Sequence, residues 1–228
     1  MMNYELQDRI AMVSLDDGKA NAVGHAFLDA VSDALDRAEQ DGAGAVILRG
    51  RDGVFSGGFD LKEFTQGADS GVSMVKRGMQ LLIRLYGFPL PVVAACTGHA
   101  VAMGAFLVLA CDTRIGTRGR FRVTLPETAL GMDLPATMVE LTASRVSPRY
   151  FTRAAVQAEV FDPELAVTAG FLDEVVEAPA LDARALEVAQ QLAQLPAQQY
   201  AGNKRLVRKH VLAAMQAEFD RMVAQHES

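Results

Sequence analysis

The sequence predicts an α/β fold carrying a helical C-terminal region, and three observations support that class. Short apolar runs of strand length, such as "AVILRG" and "PVVAAC", alternate with longer segments whose apolar residues recur every three or four positions. Strand, crossover helix and parallel strand repeat three times up to Ile115, a pattern that builds one sheet with right-handed connections. From Pro135 onward the periodicity is helical, apart from a short extended piece near Phe171–Val176.

Taken in order, Tyr4–Leu6 and Ile10–Leu15 read as the strands of a hairpin. Between His25 and Glu39, apolar residues fall at Phe27, Leu28, Val31, Leu35 and Ala38, one face of a helix. Ala45–Leu48 is wholly apolar and predicts a buried strand. A helix over 71–86 is stopped by Gly87 and Pro89. "PVVAAC" is the next buried strand, "TGHAVAMGAF" a loop running into a helix near Gly104–Cys111, and Asp112–Ile115 a further strand. Leu181, Ala185, Val188, Leu192 and Leu195 mark one amphipathic helix. A second follows Tyr200, with Leu206, Val207, Val211, Leu212, Met215, Phe219 and Met222. Residues 1–180 read as the core and 181–228 as a helical oligomerisation region of the same unit.

Composition narrows the function. With 228 residues, half of them hydrophobic, the chain can bury one large core. A net charge of −6 argues against a general nucleic-acid surface. Cys96 and Cys111 lie in apolar runs without CxxC spacing, which favours a reduced, cytoplasmic protein without disulfide or metal site. No secretory signal is read near the start, and the apolar run Ala100–Ala110 is only about half a bilayer span. "GAGAV" (Gly42–Val46) resembles part of a dinucleotide fingerprint but enters a strand instead of leaving one, the wrong order for phosphate binding. Neither GxxxxGK[ST] nor HExxH occurs.

Ligands of parallel α/β sheets gather beyond the C-terminal ends of the strands. Two loops leave such ends: "SGGFD", with Gly57 and Gly58 side by side before Phe59, and "TGHAVAMGAF". The second enters a helix, whose first amides are unpaired donors at the positive end of the dipole. Two amides converging from these loops would stabilise charge developing on a carbonyl oxygen. In "TLPETALGM", Glu127 stands in apolar company, where desolvation raises a carboxylate toward general-base range.

On these residues the chain resembles the crotonase, or enoyl-CoA hydratase/isomerase, superfamily along nearly its whole length. "FSGGFDLKE" is similar to the family's "FsaGaDlke", "TGHAVAMGAFLVLACD" to "NGyalGGGceLalaCD", and "PETALG" to its Pro-Glu-x-x-Leu-Gly motif. The resemblance implies a ββα superhelix core and an acyl-CoA thioester substrate, with coenzyme A entering as part of the substrate and no separate cofactor. It implies an oxyanion hole from the amides of Phe59 and Met103, the latter standing where glycine is usual. Glu127 becomes the catalytic acid and base, Phe106, Leu130 and Met132 wall the pocket, and Gly58, Asp60, Leu61 and Lys62 contact coenzyme A. Lys62 reads equally well as a solvated helix-face lysine, and Asp60 as the cap of the helix after the first loop.

Two departures bear on the reaction. The family's hydratases carry a glutamate where Phe106 stands, so one carboxylate remains. The sequence is most similar to Δ3,Δ2-enoyl-CoA isomerases, in which one carboxylate moves a proton from C2 to C4. Hydration by one glutamate is the alternative, and an acyl-CoA-binding relative without chemistry is a reading of another class. The sequence also stops short of the family's final helix, which predicts an open pocket or one completed by a neighbour in a homotrimer or dimer of trimers. His99 reads as packed, Arg118, Arg120 and Arg122 as one exposed strand face, and Lys204, Arg205, Arg208 and Lys209 as an exposed helix face or a coenzyme A phosphate contact.

Overall fold

The computed structural model describes residues 2–65 and 68–226; residues 1, 227 and 228 of the two sequence-derived regions lie outside that range. The chain runs β1 (Asn3–Gln7), β2 (Ile10–Ser14), α1 (His25–Gln40), β3 (Ala45–Arg49), β4 (Gly53–Ser56), α2 (Leu61–Thr65) and α3 (Ala68–Gly87). It continues through β5 (Val92–Cys96), β6 (Gly98–Val101), α4 (Met103–Ala110), β7 (Thr113–Thr117), β8 (Val123–Thr124) and α5 (Ala136–Arg145). The last elements are α6 (Pro148–Ala155), α7 (Pro163–Ala169), β9 (Glu174–Val176), α8 (Leu181–Ala193) and α9 (Ala197–His226).

The expected hairpin forms, with Asp8 and Arg9 of its two-residue turn both at positive φ. The main sheet has six strands in the order β1-β2-β3-β5-β7-β9, parallel from β2 onward. Segments expected as loops form a second, parallel sheet in the order β4-β6-β8. They escape a sequence reading because they are short and, in β4 and β6, opened by glycine, a weak strand former. The glycine has a reason: a Cβ on Gly98 would lie 2.1 Å from the Gly53 carbonyl oxygen, so β4 and β6 can pair only without it. The pairs β3–β4, β5–β6 and β7–β8 each send one strand to each sheet, which is the ββα superhelix the resemblance implied.

Strand alternation divides the core. Val46, Leu48, Val92 and Ala94 point into one large cluster with α1, α3 and the fully buried α4. Ala45, Ile47, Val93 and Ala95 point the other way and are covered by Leu181, Ala185, Val188 and Ala189 of α8. The first amphipathic helix therefore buries its face on its own sheet. The second is one 30-residue helix, α9, packed on α3 and α5 with Met215 and Phe219 buried. Most of both faces is thus covered within the chain, while Leu195, Leu206 and Val207 remain strongly exposed, at 49%, 66% and 83%.

The basic cluster also differs from expectation. Arg205 and Lys209 are exposed, but Lys204 and Arg208 are buried and share Asp112 at the start of β7, at 2.7 and 2.8 Å. Asp112 also accepts the Val92 amide, and Arg208 donates to the Tyr86 carbonyl. Burial pulls the Lys204 ammonium down to about 8, against the opposing pull of Asp112. Arg118, Arg120 and Arg122 are exposed, though on the loop between β7 and β8 and not on a strand. Asp112→Ala would strand two buried cations, a change that costs about 3–5 kcal/mol. Urea denaturation should show that loss; a loss below about 1 kcal/mol would mean that water replaces the carboxylate.

Candidate active site

The two loops meet where the sheets diverge. Gly57 donates to the Ala20 carbonyl, Val23 to Gly58, and Asp60 back to Val23, which lashes the first loop to the segment before α1. That segment is itself braced: the Asn21 amide group donates to the Leu15 and Phe55 carbonyls, and the Asp17 carboxylate accepts the amides of Lys19, Asn21 and Ala22. Burial alone would raise the Asp17 carboxyl, but those amides outweigh it and hold it below its ordinary range.

Gly58 sits at φ +98, in the left-handed region, and faces the second loop. A Cβ there would lie 2.9 Å from Ala102 Cβ and 3.0 Å from the Val101 carbonyl oxygen, with the Met103 nitrogen only 3.6 Å away. Ala102 precedes α4 at φ +50 and ψ −124, a strained conformation for a residue with a side chain. Its amide donates to Thr124 and its carbonyl accepts from Ala105 and Phe106, so the strain is held from both sides. Among the described residues, neither the Phe59 nor the Met103 amide donates to a protein acceptor. Met103 is absent from the positive-φ residues and begins α4 normally, so methionine keeps the donor that glycine would offer.

The side chains after those amides turn away from the loops. The Phe59 ring covers Gly78 of α3, where a Cβ would come within 2.7 Å of it, and the Met103 methyl group lies beside the same position. Paired glycines thus serve different ends: Gly57 keeps the chain close to Ala20, and Gly58 lets two loops touch.

A cavity of about 410 Å³ opens in front of this contact. Gly58, Phe59, Asp60, Leu61, Leu130 and Met132 line it, as the sequence reading expected, together with Glu127. Leu61, Leu130 and Met132 are 68%, 62% and 44% exposed, an apolar rim. Phe106 is not on the wall: α4 is buried along its whole length, and only Val101 and Ala102 before it reach the cavity. Lys62 is exposed on α2 outside the wall, and the Asp60 carboxylate caps that helix by accepting the Lys62 amide at 3.0 Å. His99 is packed edge-on against Phe121 and accepts the Arg122 amide. The sequence reading missed Ala20, Ala22, Phe64 and Asp133, which also line the cavity. Only the Gly- and Asx-rich stretch "DDGKANAVG" could have signalled the first two.

Glu127 opens a 3₁₀ turn (Thr128–Leu130), and its carbonyl accepts the amides of Leu130 and Met132. Its side chain is buried, Oε2 has no hydrogen-bond partner, and burial raises its pKa. The free Phe59 amide and the Glu127 carboxylate line one apolar cavity, and the free Met103 amide follows Ala102 of its wall, groups of the kind that hold an oxyanion and move a proton.

The sequence profile of enoyl-CoA hydratase/isomerase matches residues 5–227. The chain belongs to that family. A probable enoyl-CoA hydratase of Bacillus subtilis (strain 168) is 36% identical over 126 residues, a stretch that is 54% of this chain and 48% of that relative. Human mitochondrial enoyl-CoA delta isomerase 1 is 27% identical over 92% of this chain and 71% of its own length. Among solved structures, an enoyl-CoA isomerase of Mycobacterium tuberculosis superposes with a TM-score of 0.93 at 38% identity, covering 98% of this chain and 97% of that one. An enoyl-CoA hydratase of Mycobacterium marinum gives the same score and identity, with 98% of each chain covered. Likeness alone therefore does not separate the two reactions, and the site must.

The contact at Gly58 makes a prediction that needs no substrate. Gly58→Ala adds a clash to the strain of a left-handed side chain and should lose about 1–3 kcal/mol or more. Gly42→Ala, at φ +69 with nothing within 4 Å, meets the strain alone and should lose less. Equal losses in thermal denaturation would refute the close approach.

Proposed function

We propose that this family member shifts the double bond of a 3-enoyl-CoA into conjugation with the thioester. The observation that carries the reading is the buried carboxylate of Glu127, its Oε2 without a hydrogen-bond partner, in an apolar cavity. Glu127 takes a proton from C2, and the electrons move onto the thioester oxygen, where the Phe59 and Met103 amides receive the charge. The acid form of Glu127 then returns the proton to C4, leaving the double bond between C2 and C3 and the carboxylate restored. An apolar wall favours this by keeping water from the enolate. Coenzyme A leaves along Gly58, Asp60, Leu61 and Lys62, and no further cofactor enters the scheme.

Hydration keeps one specific support. Asp133 lies on the same cavity wall and could serve, with Glu127, the water that hydration requires. A binding protein without chemistry is disfavoured, because a buried carboxylate lacking a partner is costly to keep for no task. The exposed Leu195, Leu206 and Val207 support a homotrimer or dimer of trimers, and the free thiols of Cys96 and Cys111 a reducing, cytoplasmic setting. Among the described residues no helix is long and apolar enough to cross a membrane.

Glu127→Gln should lower turnover of a 3-enoyl-CoA by about 10²–10⁴-fold with acyl-CoA affinity retained. Only the carboxylate can take the C2 proton, so wild-type activity should fall as pH drops through the raised pKa of Glu127. The acid limb should thus lie above the ordinary glutamate value of about 4.3. Product analysis decides between reactions: a 3-hydroxyacyl product from 2-enoyl-CoA, with no migration of a 3-enoyl bond, reverses the assignment.

A further inference from the structure

Two further hollows border α9. The larger, a groove of about 860 Å³ between α3, α5 and the far end of α9, carries Glu218 and Arg221 already paired with each other at 2.8 Å. The other, about 430 Å³, lies at the near end of α9 and shares no residue with the groove or with the Glu127 cavity. Its charged wall is Lys204, Arg208 and Asp112, two cations against one carboxylate, with none of these side chains more than 10% exposed. The imbalance continues behind the wall. The guanidinium groups of Arg208 and Arg145 both lie over the Tyr86 ring, 4.3 and 5.0 Å from its centre. Arg145 donates to the Leu109 and Cys111 carbonyls and, among the described residues, pairs with no carboxylate. Arg114, the next cation, is matched by Asp173. Three buried cations therefore share Asp112. Burial pulls Lys204 down to about 8, and burial with the repulsion of Arg208 and Arg114 pulls Arg145 down to about 10, as happens where negative charge is short.

We infer that this pocket binds a small oxyanion, a phosphate or phosphate monoester, at a site separate from the thioester cavity. Donors are available for it. Lys204 uses two of its three N–H groups, on the Leu90 carbonyl and Asp112, and Arg208 engages the Tyr86 carbonyl and Asp112 with two of its five. Charge-assisted donors of this kind suit phosphate oxygens. Exposed Gln199 and Asn203 add neutral amide groups to the wall. Asp112 opposes the ligand, but it already serves Lys204, Arg208 and the Val92 amide and cannot neutralise the surplus alone. The volume exceeds that of a bare phosphate, so Leu195, Pro196 and Val207 leave room for the organic part of an ester.

Calorimetry on the full chain with inorganic phosphate, at neutral pH and constant ionic strength, tests this. Saturable binding of one phosphate per chain is expected, with a dissociation constant of about 1 mM or below. The melting temperature should rise above its value in chloride of equal ionic strength. Asn203→Asp adds a carboxylate to the wall at an exposed position and should weaken phosphate binding at least about tenfold. Because it supplies the missing charge, it should also raise the melting temperature in phosphate-free buffer. If Asn203→Asp fails to fold, Gln199→Glu on the same wall carries the test. Glycerol 3-phosphate binding at least as tightly as phosphate assigns the site to esters, and weaker binding assigns it to the free ion. No saturable phosphate binding, as when a second copy of the chain fills the pocket, overturns the inference, and so does binding unchanged in the variants. Displacement of phosphate by an acyl-CoA would also overturn it, by making the pocket part of the thioester site.

Discussion

The contact between Gly58 and the turn 101–103 is the constraint on which the site depends. Two loops from two different strand pairs must touch to bring the Phe59 amide, on the cavity wall, toward the Met103 amide just behind Ala102. That approach needs a residue without Cβ on one side and a strained alanine on the other. It also needs both sheets: β4 and β6, paired through Gly53 and Gly98, bring the two loops out side by side. Removing either glycine pair would leave the core intact in composition and the site without its geometry.

The same region holds two unfavourable features. A left-handed alanine costs about 1–3 kcal/mol, and a buried carboxylate with a bare oxygen is of similar or greater cost. Neither improves packing, and both face one cavity. They persist because the surroundings over-determine them: Ala102 is bonded at its amide and carbonyl, and Glu127 begins a turn whose carbonyl takes two amides. Strain and desolvation meeting at one cavity with no structural gain to offset them mark it as a candidate functional site.

Much of this was legible in the sequence. The apolar runs at 45–48 and 92–96 announced buried strands because burial on both faces explains four or five consecutive apolar residues. The motifs around Phe59, Met103 and Glu127 located the two loops and the carboxylate. Where reading failed, the cause was local information too weak to reveal a tertiary contact. Gly53–Ser56 and Gly98–Val101 look like loops since their pairing is decided by a partner some forty-five residues away. Phe106 aligned with a catalytic position yet lies in the core, because the direction of a helical side chain depends on how the whole of α4 is buried. Lys204 and Arg208 looked like half of a solvated face, and only the fold brings Asp112 between them.

α9 shows how the C-terminal region serves fold and site together. Near its start, Lys204 and Arg208 anchor it to Asp112 at the head of β7, and midway the Thr137 hydroxyl donates to the Met215 carbonyl, tying it to α5. Beyond that point it walls the large groove with Met222. A helix fixed by buried charge at one end and packed on α3 and α5 along its length positions its far end without loop contacts. The groove is therefore built from helices that are packed into the core. A change that loosens α9 from Asp112 would reach the groove through the helix itself.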